Sequence, residues 1–338
     1  MSGYAEIGLG LQSDKRGADY ARLAELAEDT GFDVLSVFSD LLYQPPIYAL
    51  LEMARVTQRV RLGAACWNPY TMHPYEIAGQ LAVLDDASDG RAYLGLARGT
   101  WLDAIGIRQR RPVAHLRDAV RVIRALLRGD GTGVEGDVFR LAPGTRLRYP
   151  LPDRVPPLLI GTWGERTAAL AGELADEVKV GGTANPAVID VLTERIAVGR
   201  ARAGRPDDAV GVVVGAVTVV DEDGAAARAK ARLEVAMYLA VVGGLDPTVA
   251  LPGDLLDAVS KHVDAGDHER AGACIPDDVL DLFAFAGTPE QVAAQAQRLI
   301  DAGARRVEFG TPHGLTDAGG VELLGRRVLP LLRRGTRP

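Results

Sequence analysis

Short aliphatic runs alternate with amphipathic helical patterns along almost the whole chain, and this alternation limits the possible folds more than any other feature. Aliphatic and β-branched residues form eight strand-like runs, at 7–11, 34–38, 60–65, 92–96, 158–160, 178–180, 211–219 and 306–309. A helical pattern follows each run, at 18–30, 47–57, 74–88, 115–127, 165–175, 186–203, within 224–300 and at 321–333. Eight such units in 338 residues predict a (β/α)8 TIM barrel rather than an open sheet.

Two segments do not fit the minimal strand–helix unit. Residues 129–157 are rich in glycine and proline and contain short alternating pieces, which predicts an inserted hairpin or lid. Residues 243–285 carry further helical pieces between the seventh strand and the helix before the eighth. Insertions in such connections are where a barrel acquires its specificity. We therefore expect one barrel domain over residues 1–338 with two insertions.

Composition argues against several classes of protein. The formal net charge of −7 disfavours nucleic acid as a partner. No apolar run approaches the roughly 18–20 residues that span a bilayer, and no basic segment followed by an apolar one marks the amino terminus, so we expect a cytoplasmic protein without a membrane partner. Cys66 and Cys274 are too few for a disulfide framework or a cysteine zinc site, and no histidine pair has ligand spacing, so we expect no metal.

Aromatic residues collect at the carboxyl ends of the strands, where a barrel of this type has its active site. All three tryptophans, Trp67, Trp101 and Trp163, follow the third, fourth and fifth predicted strands. Their rings would offer stacking area and N–H donors to a large planar ligand, which predicts a substrate pocket. The alternative is that they pack within the loops.

Three polar residues at the same end are candidates for acid–base chemistry. Asp40 ends the second strand, where its carboxylate could bind a ring N–H or hydroxyl, transfer a proton, or cap the next element. His73 and His313 follow the third and eighth strands, and either could shuttle protons near neutral pH. A solvated loop histidine is the alternative for both.

The turn Gly161-Thr162-Trp163-Gly164 joins the fifth strand to the next helix. Glycines at this point let backbone N–H groups approach an anion, and the helix dipole favours negative charge there. The turn therefore predicts an anion site, although many glycine turns only reverse the chain.

Glu177 and Lys179 alternate with two valines in the sixth strand, so the charged side chains share one face. The outer face of a barrel strand is covered by apolar helix, which places the charges inside, where they must be paired. An internal ion pair is one interpretation. The other is a Schiff-base lysine at Lys179, which would make the protein an aldolase. Glu308 in the eighth strand is a further inward candidate for the same network.

Three segments resemble the luciferase-like superfamily of flavin and deazaflavin oxidoreductases. The run LGAACWNPYTMHPYEIAGQLAVLDDASDGRAYLGLARG (62–99) is similar to the family's third and fourth units, and LLIGTWGERTAALAGELADEVKVGG to its fifth and sixth. The run FAFAGTPEQVAAQAQRLIDAGARRVEFGTPHG (283–314) resembles members related to methylenetetrahydromethanopterin reductase, which use coenzyme F420, an 8-hydroxy-5-deazaflavin.

The resemblance implies where a cofactor would lie. The planar ring would sit in the barrel mouth, supported by a non-proline cis peptide in the third strand, at Ala64-Ala65 or Ala65-Cys66. The turn at Gly161–Gly164 would hold a phosphate. The cofactor-binding residues implied in this way are Asp40, Ala65, Cys66, Asn68, Arg98, Gly99, Gly161, Thr162, Trp163, Gly164, Gly181 and Gly182.

The resemblance also implies hydride transfer at the ring's C5, with F420 as cofactor and FMN, in a monooxygenase, as the alternative. Several deazaflavin dehydrogenases have Ser-Asp-His after the second strand, whereas this chain has Ser39-Asp40-Leu41. A reductase of an imine or activated alkene is therefore expected, with His73, His313 or Glu308 handling any proton. Some relatives pair through helices two and three, so a homodimer is expected. A non-catalytic cofactor-binding protein is the remaining alternative.

Overall fold

A computed structural model of the chain describes residues 4–335. The strands are β1 (Glu6–Leu11), β2 (Val34–Val37), β3 (Arg61–Ala64), β4 (Leu94–Ala97), β5 (Val134–Glu135), β6 (Arg140–Leu141), β7 (Leu158–Gly161), β8 (Glu177–Gly181), β9 (Gly211–Val220), β10 (Ala284–Gly287) and β11 (Arg306–Gly314). The helices are α1 (Gly17–Thr30), α2 (Pro46–Ala54), α3 (Pro74–Ala87), α4 (Pro112–Arg128), α5 (Glu165–Leu174), α6 (Val188–Ala203), α7 (Gly224–Ala236), α8 (Leu239–Gly243), α9 (Gly253–Asp264), α10 (His268–Ala273), α11 (Asp277–Phe283), α12 (Pro289–Asp301) and α13 (Asp317–Leu323).

Eight parallel strands form the barrel that the sequence predicts. They follow the order β3-β2-β1-β11-β9-β8-β7-β4. Two isolated bridges, Leu62 to Ala92 and Trp67 to Leu96, join the two ends of this order. The sheet thus closes on itself, and the (β/α)8 fold is confirmed.

The two departures from the minimal unit have different structures. Within residues 129–157, β5 and β6 form an antiparallel hairpin, as expected. The region 224–300 is not helical throughout, however, because it contains β10. The first half of β9 pairs with β8, and its last four residues pair with β10, from Val217 to Val220. Because β9 extends beyond the end of β8, β10 supplies the hydrogen-bond partners of its last residues. The prediction of helix throughout 224–300 was therefore wrong.

Glycines on β1 make room for larger side chains inside the barrel. Along β1, Ile7, Leu9 and Leu11 belong to the main hydrophobic core, and Gly8 and Gly10 point the other way. A methyl group on Gly8 would lie 3.2 Å from Glu308 Cγ, and one on Gly10 would lie 3.1 Å from Glu308 Oε1. The barrel interior is thus filled across the strands, with a charged residue from β11 in the space that β1 leaves.

Within residues 4–335, no helix is long and apolar enough to cross a membrane. The same residues contain no group of three or more His, Cys, Asp or Glu side chains arranged to hold a metal ion.

Candidate functional site

A buried charge network lies beneath the carboxyl ends of the strands. The Lys179 ammonium forms an ion pair with Glu308 Oε1. Ser36 Oγ donates to Glu308 Oε2 at 2.7 Å and lies 2.7 Å from the Tyr93 hydroxyl. The internal ion pair expected for Lys179 is confirmed, with Glu308 rather than Glu177 as its partner.

Glu177 has partners of its own lower in the barrel. Its carboxylate lies 3.3 Å from Arg61 Nη2 and 3.3 Å from Arg306 Nη2. Arg306 is fully buried. Burial would raise the pKa of Glu177, but these two guanidinium groups outweigh it and hold that pKa below its usual value. Three positive and three negative side chains thus share the interior: Arg61, Lys179, Arg306, Glu6, Glu177 and Glu308.

The network corrects two expectations. Glu308 is 1 % exposed and its carboxylate is engaged by Lys179 and Ser36, which argues against the catalytic role expected for it. Burial would raise the pKa of Glu308, but Lys179 and Arg306 hold it below its ordinary value. A Lys179 ammonium paired with an ionised carboxylate is not a nucleophile, which disfavours the Schiff-base aldolase.

Above the network, the mouth has a floor of small residues. A methyl group on Gly161 would lie 3.1 Å from Cys66 Sγ and 3.3 Å from Ala97 Cβ, whereas one on Gly181 would meet no atom within 4 Å. The Ala65-Cys66 peptide is cis, which confirms one of the two positions expected. Burial raises the pKa of the Cys66 thiol to about 12, so the thiol stays neutral. The floor is therefore made of small side chains, with open space at Gly181.

The turn after β7 leaves the start of α5 open. Gly164 is the N-cap residue and supplies no side-chain cap. The Thr162 hydroxyl accepts the Gly164 N–H at 3.0 Å, and Arg195 donates to the Trp163 carbonyl oxygen at 2.7 Å, so two hydrogen bonds hold the last part of the turn. The first N–H groups of α5 have no acceptor within the helix. This arrangement is suited to an anion, as the sequence predicts.

The loops after β3 and β4 bring two expected residues together. Asn68 is buried, and its Oδ1 accepts the N–H groups of Tyr70 and Thr71 at 3.2 and 3.0 Å. A methyl group on Gly99 would lie 3.0 Å from Asn68 Nδ2. Gln109 donates to the carbonyl oxygens of Arg98 and Gly99, which fixes the end of β4. The side chain of Arg98 is exposed.

Asp40 and the tryptophans occupy different environments. Asp40 is exposed, and its Oδ2 accepts a hydrogen bond from Gln12 Nε2 at 3.0 Å. Trp101 is half exposed, and Trp163 is partly buried against the main core. Trp67 is completely buried in that core. The expectation that Trp67 lines an open substrate pocket is therefore wrong, because its side chain is not accessible.

The two candidate histidines also differ. His313 is fully buried, and its Nε2 lies 3.0 Å from the Gly10 carbonyl oxygen. Burial lowers the pKa of His313 to about 4, so a proton shuttle at the mouth was the wrong expectation for this residue. His73 is exposed and caps α3, with its Nδ1 accepting the Tyr75 N–H at 3.1 Å.

Sequence reasoning missed Ser36, Arg61, Tyr93 and Arg306, which complete the network. The available signal was the alternation of Arg306 and Glu308, which puts both on one face of a strand. Ser36 and Tyr93 carry no such signal, because each is a single polar residue in an otherwise apolar run.

The fold defines a (β/α)8-barrel protein with glycine-rich turns at the carboxyl ends of β7 and β8. The chain belongs to the luciferase-like monooxygenase family, whose model matches residues 4–306. It is 31 % identical to the 5,10-methylenetetrahydromethanopterin reductase of Archaeoglobus fulgidus, over 97 % of this chain and 100 % of that protein.

Two further relatives extend this likeness. The F420-dependent glucose-6-phosphate dehydrogenase of Nocardia farcinica is 27 % identical, over 98 % of this chain and 99 % of that protein. The structure of the coenzyme F420-dependent tetrahydromethanopterin reductase of Methanopyrus kandleri superposes with a TM-score of 0.83 at 25 % identity. That superposition covers 98 % of this chain and 100 % of the reductase.

Proposed function

We propose that this protein is a coenzyme F420-dependent oxidoreductase that transfers a hydride between the deazaflavin C5 and a small organic substrate, an imine or activated alkene. The relatives described above are named as reductases and as an F420-dependent dehydrogenase. The observation that carries the proposal is the glycine floor of the mouth beside the uncapped start of α5.

The residues of the mouth fit a deazaflavin. The Ala65-Cys66 segment, Gly181 and Gly182 would border the ring, and the turn at 161–164 would hold the phosphate with backbone N–H groups. Asn68, Arg98 and Gly99 would supply the polar edge. When bound, the deazaflavin supplies a C5 position that gives or takes a hydride, which is chemistry no side chain performs.

The chain's own groups would position the substrate and handle its proton. Trp101 and Trp163 would exclude water above the ring. Asp40 is oriented by Gln12 and keeps an exposed carboxylate oxygen for a substrate N–H or hydroxyl. His73 accepts at Nδ1, so its neutral ring carries the proton at Nε2, where it is available to a substrate.

A binding titration tests this function. Apoprotein is titrated with F420 and with FMN, and binding is followed by cofactor fluorescence; we expect tighter binding of F420. In Gly181→Val the Cβ meets no protein atom within 4 Å, so the variant should leave the melting temperature unchanged and weaken F420 binding at least about tenfold. Tighter binding of FMN, or an affinity that Gly181→Val does not change, would contradict the proposal.

We further propose a homodimer that pairs through α2 and α3. Tyr48 on α2 and Tyr75 and Val83 on α3 are exposed apolar or aromatic side chains, 45 %, 50 % and 47 % accessible. Exposed apolar residues grouped on neighbouring helices are typical of an interface.

Both cysteines are free, as is usual where thiols stay reduced, and this supports a cytoplasmic location.

A further inference from the structure

Lys179 stands between the charge network and the open mouth. On β8 it is followed, one inward position later, by Gly181, above which there is open space. Its side chain is 9 % exposed, whereas that of Glu308 is 1 % exposed and that of Arg306 is completely buried. Of Lys179, Glu308 and Arg306, Lys179 therefore has the most accessible charged group, next to the open space at Gly181.

The surroundings of Lys179 keep its charge in place. Glu308 pairs with the ammonium from β11, and the Phe38 ring lies 5.3 Å from Nζ. The other titratable groups nearby are Arg306, Tyr93 and Cys66, and burial keeps the last two neutral by raising the pKa of each. The charges of the network sum to zero, and within the Lys179–Glu308 pair the ammonium is the more accessible member.

We propose that Lys179 acts as an electrostatic anchor for the bound cofactor, stabilising negative charge on the ring above it through its field rather than by contact with the reacting atoms. This inference rests on the proposed function. A cation at the floor favours an anionic ring over a neutral one, because opposite charges attract strongly where water is excluded.

The 8-hydroxyl of oxidised F420 offers a readout that needs no turnover. This phenol-like group loses its proton with a change in absorbance, so its pKa can be measured on the bound cofactor by spectrophotometric titration. In wild type, Lys179 should favour the deprotonated form. In Lys179→Met, we expect that pKa to rise by about one unit or more, which is at least a tenfold change in proton affinity.

Three further variants control for structure. Lys179→Arg keeps the charge and should restore the wild-type titration. Lys179→Met with Glu308→Gln removes both charges, so no carboxylate is buried alone, and its cofactor pKa should still lie above the wild-type value. Lys261→Met makes the same substitution on the exposed face of α9 and should change nothing.

The outcomes separate the two proposals. If F420 binds to wild type and both Lys179→Met variants titrate as wild type does, the anchor is overturned while the proposed function stands. If F420 does not bind to wild type, the proposed function fails and the anchor fails with it. A pKa rise in both Met variants that Lys179→Arg reverses supports the anchor.

Discussion

At the scale of single residues, His313 shows how burial sets a protonation state. The residue has a positive φ of 73°, and its Nε2 proton is directed at the Gly10 carbonyl oxygen. Asp317 favours its cationic form and Lys15 opposes it, but burial outweighs both and lowers the pKa of His313 to about 4. The imidazole is therefore neutral in the folded protein at neutral pH.

This neutrality predicts a pH-dependent stability. The unfolded pKa of histidine is about 6.5, so between pH 6.5 and about 4 the unfolded chain binds the proton that the folded chain refuses. The contribution of the neutral, buried His313 to the free energy of unfolding is present above a pH of about 6.5 and is lost as the pH falls through this window. His313→Gln keeps an N–H donor without titrating, so its free energy of unfolding in urea should fall less between pH 7 and 4.5. Identical losses in the two proteins would contradict the account.

At the scale of elements, α5 serves the site through its first turn. Its N-cap position is open, and a methyl group on Gly164 would make only ordinary contacts with two threonine hydroxyls, at 3.6 and 3.9 Å. Gly164→Asp should cap the helix and stabilise the protein by a few tenths of a kcal/mol, because the carboxylate accepts free N–H groups. The same carboxylate should repel a phosphate and weaken F420 binding by about tenfold or more.

Gly164→Asn is the matched control, because asparagine caps equally well without the charge. Both variants should unfold at slightly higher urea concentration than wild type. Only the aspartate should lose affinity strongly, as measured by fluorescence titration. Equal affinity losses would mean that bulk rather than charge is responsible.

Prediction from the sequence succeeded where one element carries its own signal. The alternation of eight strand-like runs with helical patterns predicts the barrel, and the alternation of Glu177 and Lys179 with valines predicts an internal ion pair. Prediction failed where several elements act together. The partner of Lys179 is Glu308 on β11, whose side chain occupies the space beside the glycines of β1. The burial of Trp67 and His313 likewise depends on packing that a loop position in the sequence does not reveal.

At the scale of the whole molecule, the proposed dimer makes a separate prediction. Val83 on α3 and Val198 on α6 are equally exposed, at 47 % and 48 %. Val83→Glu should bury a charge in the interface and shift the protein to monomers in analytical ultracentrifugation. Val198→Glu should leave the mass unchanged. Wild-type monomers, or a dimer that Val83→Glu does not affect, would contradict pairing through α3.

Hydride transfer itself tests the central claim most directly. F420 reduced with deuterium at C5 is mixed with the protein and a panel of imine and enone acceptors, and the products are analysed by mass spectrometry. The account predicts one deuterium on the reduced carbon of an accepted substrate, and no such product without the protein. Absence of deuterium from every acceptor, together with oxygenated products formed from reduced FMN and dioxygen, would contradict it.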